Sequence, residues 1–132
     1  MTREEIGSIV ERQRAFFRTG ATLPVERRLE ALRKLQRAVE AREGEIAGAL
    51  REDLGKSAAE SYMSEIGMVR SELTYMLRHT ASFARPKTRP TPLAQFAARS
   101  YERSDPYGVV LIMSPWNYPF LLTMDPLIDA LA

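Results

Sequence analysis

The chain has 132 residues, 45% of them apolar and 27% charged, enough for one domain with a buried core and too apolar for a disordered segment. It has no cysteine, which excludes disulfides, a thiolate nucleophile and Cys-type zinc within these residues. The net charge is only +2, but all 19 Lys and Arg lie at or before Arg103, and the only charges from Asp105 onward are Asp105, Asp125 and Asp129. A basic front half can point to nucleic acid. Here the bases alternate with glutamates at helical spacing, as in Glu26-Arg27-Arg28-Leu29-Glu30, so a solvated helix face is the better reading and no nucleic acid partner is expected. The single histidine, His79, has no ligand-spaced cluster around it, and no metal site is expected. The charged N-terminus lacks the apolar core of a signal peptide, which makes a cytoplasmic protein the default.

Thr2 and Glu5 form a capping-box pattern, and Ile6, Ile9, Val10 and Phe17 then share a helical face up to Gly20. Pro24 suits the first turn of a second helix with the stripe Val25, Leu29, Leu32 and Val39. Residues 42–45 interrupt that helix or begin a third, which carries Ile46, Ala49, Leu50 and Leu54 and stops at Gly55. A further stripe runs Ile66, Val69, Leu73, Met76 and Leu77. Pro86, Pro90 and Pro92 then impose an extended connection, and residues 96–104 have weak β character.

Residues 107–113 form an uncharged, β-branched run without alternation. That pattern predicts a strand covered on both faces, as in a parallel sheet. Pro115 and Pro119 constrain the turn that follows, and Pro119 is placed to open a helix over the apolar residues 120–132. A membrane span over 107–124 would have to absorb both prolines and Asn117, so no stable membrane span is expected. In an open α/β sheet the turn after a strand faces the ligand crevice. Asn117 in such a turn offers two neutral N–H donors, suited to an oxyanion; as a plain turn residue, it would cap the following helix with its side-chain oxygen. The residues alone favour the cap. Trp116 and Tyr118 read more simply as packing aromatics.

Pro106-Tyr107-Gly108-Val109-Val110 followed by Ser114-Pro115-Trp116-Asn117-Tyr118-Pro119-Phe120 resembles the aldehyde dehydrogenase superfamily. Glu52-Asp53-Leu54-Gly55-Lys56, Glu60-Ser61-Tyr62 and Glu65-Ile66-Gly67 resemble its class 3 branch, which takes medium-chain, fatty and aromatic aldehydes. The resemblance runs through essentially the whole chain. It implies an α/β fold with N-terminal amphipathic helices and the first strand-turn-helix of a Rossmann-like NAD(P)-binding domain, truncated. Residues 1–84 would be the helical part of that domain, 85–105 a Pro-rich connection with an oligomerisation-arm strand, and 106–132 the start of the dinucleotide sheet.

The resemblance further implies NAD- or NADP-dependent oxidation of an aldehyde to a carboxylate through a cysteine thiohemiacetal and thioester. Asn117 becomes the oxyanion donor. Met113, Ser114, Pro115 and Trp116 line the nicotinamide-ribose side of the cofactor cleft, Tyr118 faces the substrate tunnel, and Tyr62 stands at its mouth. The arm strand over 99–104 implies a homodimer. The family's nucleophilic cysteine and glutamate base have no counterpart here, so the chain reads as an N-terminal fragment inactive by itself. The competing reading is a non-catalytic helical interaction module.

Overall fold

A computed structural model describes residues 1–132. It contains six α-helices and one two-stranded antiparallel sheet. Helix α1 spans Arg3–Arg18, α2 Val25–Ala41, α3 Glu43–Leu54, the short α4 Ala58–Ser61, α5 Gly67–Phe83 and α6 Leu121–Leu131. Strand β1 is Lys87–Arg89 and β2 is Ser100–Glu102.

The helix ends follow from local chemistry. The Thr2 hydroxyl accepts from the Glu5 N–H at 3.2 Å while the Glu5 carboxylate accepts from the Thr2 N–H at 2.7 Å, which completes the capping box. Gly20 and Gly55 adopt φ of 72° and 69°, the left-handed values that a helix end asks of glycine. Pro24 is the N-cap of α2, and Arg42 separates α2 from α3. The Ser57 hydroxyl caps α4 by accepting from the Glu60 N–H at 3.1 Å.

The core is built where α2, α5 and α6 meet. Leu32 and Val39 of α2, Val69 and Leu73 of α5, and Leu121 and Ile128 of α6 form one buried cluster. Each such side chain contributes on the order of 2 kcal/mol through the apolar surface it removes from water. Helix α1 buries no residue, and none of its side chains joins this cluster.

Between α4 and α5 the helix widens into a π turn over Tyr62–Ile66, closed by the bond from the Gly67 N–H to the Tyr62 carbonyl. The core stripe Leu73, Val69 and Ile66 would reach Tyr62 if α spacing continued. The added residue of the π turn instead places Ser61 in the interior and turns Tyr62 outward. Glu65, within the same turn, is fully buried. Gly67 permits this: a Cβ there would lie 2.8 Å from the Tyr62 carbonyl oxygen.

Residues 107–113 do not form the expected strand. The only ladder pairs Lys87 with Glu102, Thr88 with Tyr101 and Arg89 with Ser100. A strand exists only through hydrogen bonds to a neighbour, and no other strand among these residues lies beside 107–113. Nor is the run covered on both faces: Tyr107 is 100% exposed, Leu111 81% and Met113 82%. The helix after Pro119 is present as α6, beginning at Leu121. No helix is long and apolar enough to cross a membrane.

Two measurements test this packing. Gly67→Ala forces its Cβ against a backbone carbonyl and should destabilise the fold by about 1–3 kcal/mol, read as a lower denaturant midpoint at unchanged m-value. The second concerns carboxyl groups at the α5–α6 contact. Burial, then the neighbouring Asp129, raises the Asp125 carboxyl above its ordinary range. Burial, then Asp129 and Asp125, does the same for Glu72. An acid held above its unfolded pKa costs stability once ionised. The cost is absent below about pH 4 and complete once pH exceeds the folded value. Asp129→Asn should therefore raise the melting temperature at pH 7, with the gain fading as pH falls to about 3.

Candidate functional site

The turn over residues 113–119 is held at three places. The Ser114 and Thr123 hydroxyls share a hydrogen bond of 2.6 Å, and the Thr123 hydroxyl also lies 2.6 Å from the Pro119 carbonyl. These contacts tie the start of the turn to the first turn of α6. The Lys56 ammonium donates to the Asn117 carbonyl at 3.4 Å and sits 4.1 Å from the centre of the Tyr118 ring. Lys56 also pairs with Glu65, and both are buried. The second Glu65 oxygen, Oε2, accepts from the Phe120 and Leu121 N–H groups at 2.9 and 3.1 Å.

Glu65 is therefore the cap of α6. Two backbone N–H groups that the helix cannot satisfy internally end on a full carboxylate, at the positive end of the helix dipole. The expectation that Asn117 caps this helix is overturned: no side chain at its N-cap position bonds it, and the carboxylate arrives from a distant helix. The physical reason is strength. An ionised carboxylate receiving two N–H groups outcompetes a neutral amide oxygen for them.

The Asn117 side chain is exposed and makes no hydrogen bond within the chain. A rigid backbone thus carries a neutral N–H donor that is free to meet an external oxygen. Met113 and Trp116 are each 82% exposed, and with Pro115 they present an apolar, partly aromatic surface beside it. This surface suits the flat ring end of a nicotinamide dinucleotide. The α6 N-terminus does not suit its pyrophosphate, because Glu65 already occupies the first amides. Tyr118 is adjacent to Asn117, with its ring against Lys56. Tyr62 lies elsewhere, on the wall of a shallow cavity of about 340 Å³ along α5 with Gly67, Tyr75 and His79. That cavity includes none of the turn residues. A second concavity, about 630 Å³, runs from Phe17 past Tyr107 and Gly108 to the end of α6 and likewise excludes residues 113–118.

Comparison with known proteins matches the whole chain, residues 1–132, to the aldehyde dehydrogenase family. The chain belongs to the aldehyde dehydrogenase family. It is 40% identical over 119 residues to 4,4'-diaponeurosporen-aldehyde dehydrogenase of Staphylococcus aureus, covering 90% of this chain and 26% of that protein. It is 37% identical over 129 residues to the dimeric NADP-preferring aldehyde dehydrogenase of Canis lupus familiaris, covering 97% of this chain and 28% of that one. It is 39% identical over 123 residues to aldehyde dehydrogenase family 3 member A2 of Mus musculus, covering 93% and 25%. The structure of Staphylococcus aureus AldH in a substrate-bound state superposes with a TM-score of 0.93 at 38% identity, over 96% of this chain and 28% of that one. The chain thus spans about a quarter of the length of the family members it matches.

In this aldehyde dehydrogenase segment, sequence reasoning located the turn and missed its supports. Lys56 and Glu65 lie nine residues apart, and the contacts from them to the turn cross 55 to 61 residues. The available signal was a lysine directly after the helix-stopping Gly55 and a glutamate beside an apolar stripe. The test of the cap assignment is direct. Asn117→Ala should change folding stability by less than about 0.5 kcal/mol, against the roughly 1 kcal/mol lost with an N-cap, as measured by denaturant unfolding.

Proposed function

We propose that the full-length protein oxidises an aldehyde to the carboxylate with NAD or NADP, and that residues 113–119 form one wall of its active site. The observation that supports this reading most is the Asn117 carboxamide, unengaged on a turn whose backbone is clamped. In this reading a cysteine thiolate from outside these residues adds to the aldehyde carbon, and the carbonyl oxygen takes up the negative charge. The Asn117 side chain donates an N–H to that oxygen. Because the donor is neutral and carried on a clamped backbone, it stabilises the developing charge with little reorganisation. Loss of hydride from the tetrahedral carbon leaves a thioester, and attack by water releases the carboxylate and the thiolate.

The nicotinamide ring, when bound, supplies the hydride acceptor. Met113, Ser114, Pro115 and Trp116 would hold its ribose and ring side by apolar contact. Tyr118 would line the substrate path, with its ring kept in place by Lys56. Tyr62 would stand further out, at the entrance. The 132 residues contain no cysteine, so by themselves they should be inactive.

A homodimer is part of the same proposal. The β1–β2 ribbon is exposed at nearly every position, and Arg89 binds Glu102 across it. A two-stranded ribbon is marginal alone and has free edges that another subunit's strand could extend. The dog relative is named as dimeric.

The deciding measurement is the single-turnover rate of aldehyde oxidation by the full-length protein. Asn117→Ala should lower it by roughly 10²–10³, the loss that follows removal of one oxyanion donor. A wild-type rate would remove Asn117 from the chemistry.

A further inference from the structure

Lys56 and Glu65 form a buried pair that touches no part of the surface assigned to substrate or cofactor except through the turn. Lys56 is 7% exposed and Glu65 0%. Burying two charges is a poor route to stability, since desolvation consumes most of what their attraction returns, and an apolar pair of similar volume is often as stable. The remaining bonds of the pair suggest why it is there. Each ends on the turn or on the start of the helix behind it: the Asn117 carbonyl and the Tyr118 ring for Lys56, the Phe120 and Leu121 amides for Glu65.

We propose that Lys56 and Glu65 are positioning residues that fix the direction of the Asn117 carboxamide; this rests on the oxyanion reading of Asn117 given above. The ammonium has three N–H donors, and the structure gives it three acceptors: the Glu65 carboxylate, the Asn117 carbonyl and the Tyr118 ring face. Holding the Asn117 carbonyl sets the plane of the peptide that follows it. Together with the Ser114–Thr123 bond, that sets the direction of the bond from Cα to Cβ and hence where the side chain can reach. Glu65 holds the other end by stopping α6 from rotating or fraying. Glu65 reaches α6 only because it lies in the π turn, which brings it and Ser61 into the interior.

The precision matters chemically. A misplacement of about 1 Å at a group that must meet the transition state can cost roughly 100-fold in rate. A neutral amide has no long-range field to compensate for a poor angle, so its value depends on geometry more than that of a cation would.

The test uses the full-length protein and three variants, Glu65→Gln, Lys56→Met and the double variant Lys56→Met/Glu65→Leu, each made also in an Asn117→Ala background, with Asn117→Ala alone as the reference. Lys56→Met alone leaves an unpaired buried carboxylate and is prone to unfold. The double variant removes both charges and keeps the volume apolar, but leaves the Phe120 and Leu121 amides without an acceptor, so its melting temperature should fall by roughly 5–10 °C while it still folds. The expected result for the folded double variant is a kcat lowered about 10- to 100-fold, with the aldehyde KM changed less than about 3-fold. In the Asn117→Ala background the same change should lower kcat by less than about 2-fold, because the group being positioned is already gone. Amide hydrogen exchange at Phe120 and Leu121 should accelerate at least about 10-fold in the double variant, while α2 and the middle of α5 stay protected.

A full multiplicative loss on top of Asn117→Ala would overturn the proposal, since the pair would then act by another route. So would wild-type kcat in the double variant, or unchanged exchange at Phe120 and Leu121. Glu65→Gln, which keeps an acceptor for the α6 amides but loses the charge, should fall between wild type and the double variant. A wild-type rate in the Asn117→Ala protein would instead overturn the oxyanion reading itself, and accelerated exchange in the double variant would still show the clamp on α6.

Discussion

The Glu65 carboxylate is the contact on which the arrangement of this segment turns. One oxygen meets Lys56 and the other takes the first two free amides of α6. A carboxylate in the interior is tolerable only when its lone pairs are met, and here a cation and a helix N-terminus meet them together. Three parts of the chain are thereby joined: the residue after the α3 stop, the π turn before α5, and the start of α6. The apolar cluster of α2, α5 and α6 supplies the cohesion, but it is non-directional. The ion pair with its two amides sets the register between α6 and the rest.

The π turn is what makes this contact reachable. A continuous α-helix from Ala58 to Phe83 would have carried the stripe of Leu73, Val69 and Ile66 on to Tyr62. The wider turn puts Ser61 there and leaves Tyr62 44% exposed. Gly67 is the local condition for it, since any side chain would meet the Tyr62 carbonyl. One glycine therefore bears on the orientation of Tyr62 and on the seat of the glutamate beneath the Asn117 turn.

Residues 107–113 show the opposite case, a segment whose local preference is clear and which no neighbouring strand satisfies. The run is uncharged and β-branched, yet it forms no ladder and leaves Tyr107, Leu111 and Met113 exposed. Exposed apolar surface of this kind marks a face built to be covered. The chain spans about a quarter of the length of the aldehyde dehydrogenase relatives it matches. What was formed instead is the small ribbon at 87–102, whose two strands are close enough in sequence to find one another.

The residues themselves determined what depends on near neighbours. The capping box at Thr2 and Glu5, the stops at Gly20 and Gly55, the start at Pro24 and the stripes of α2 and α5 are all set by contacts three to five residues apart. The turn around Asn117 was legible for the same reason, since its two prolines act on their immediate predecessors. Only the tertiary structure decided who caps α6, where Tyr62 points and which groups stand under Asn117. Those answers depend on side chains brought together across 55 to 61 residues, and periodicity carries no information about such pairs. A buried lysine and glutamate look like surface charges until the fold closes over them.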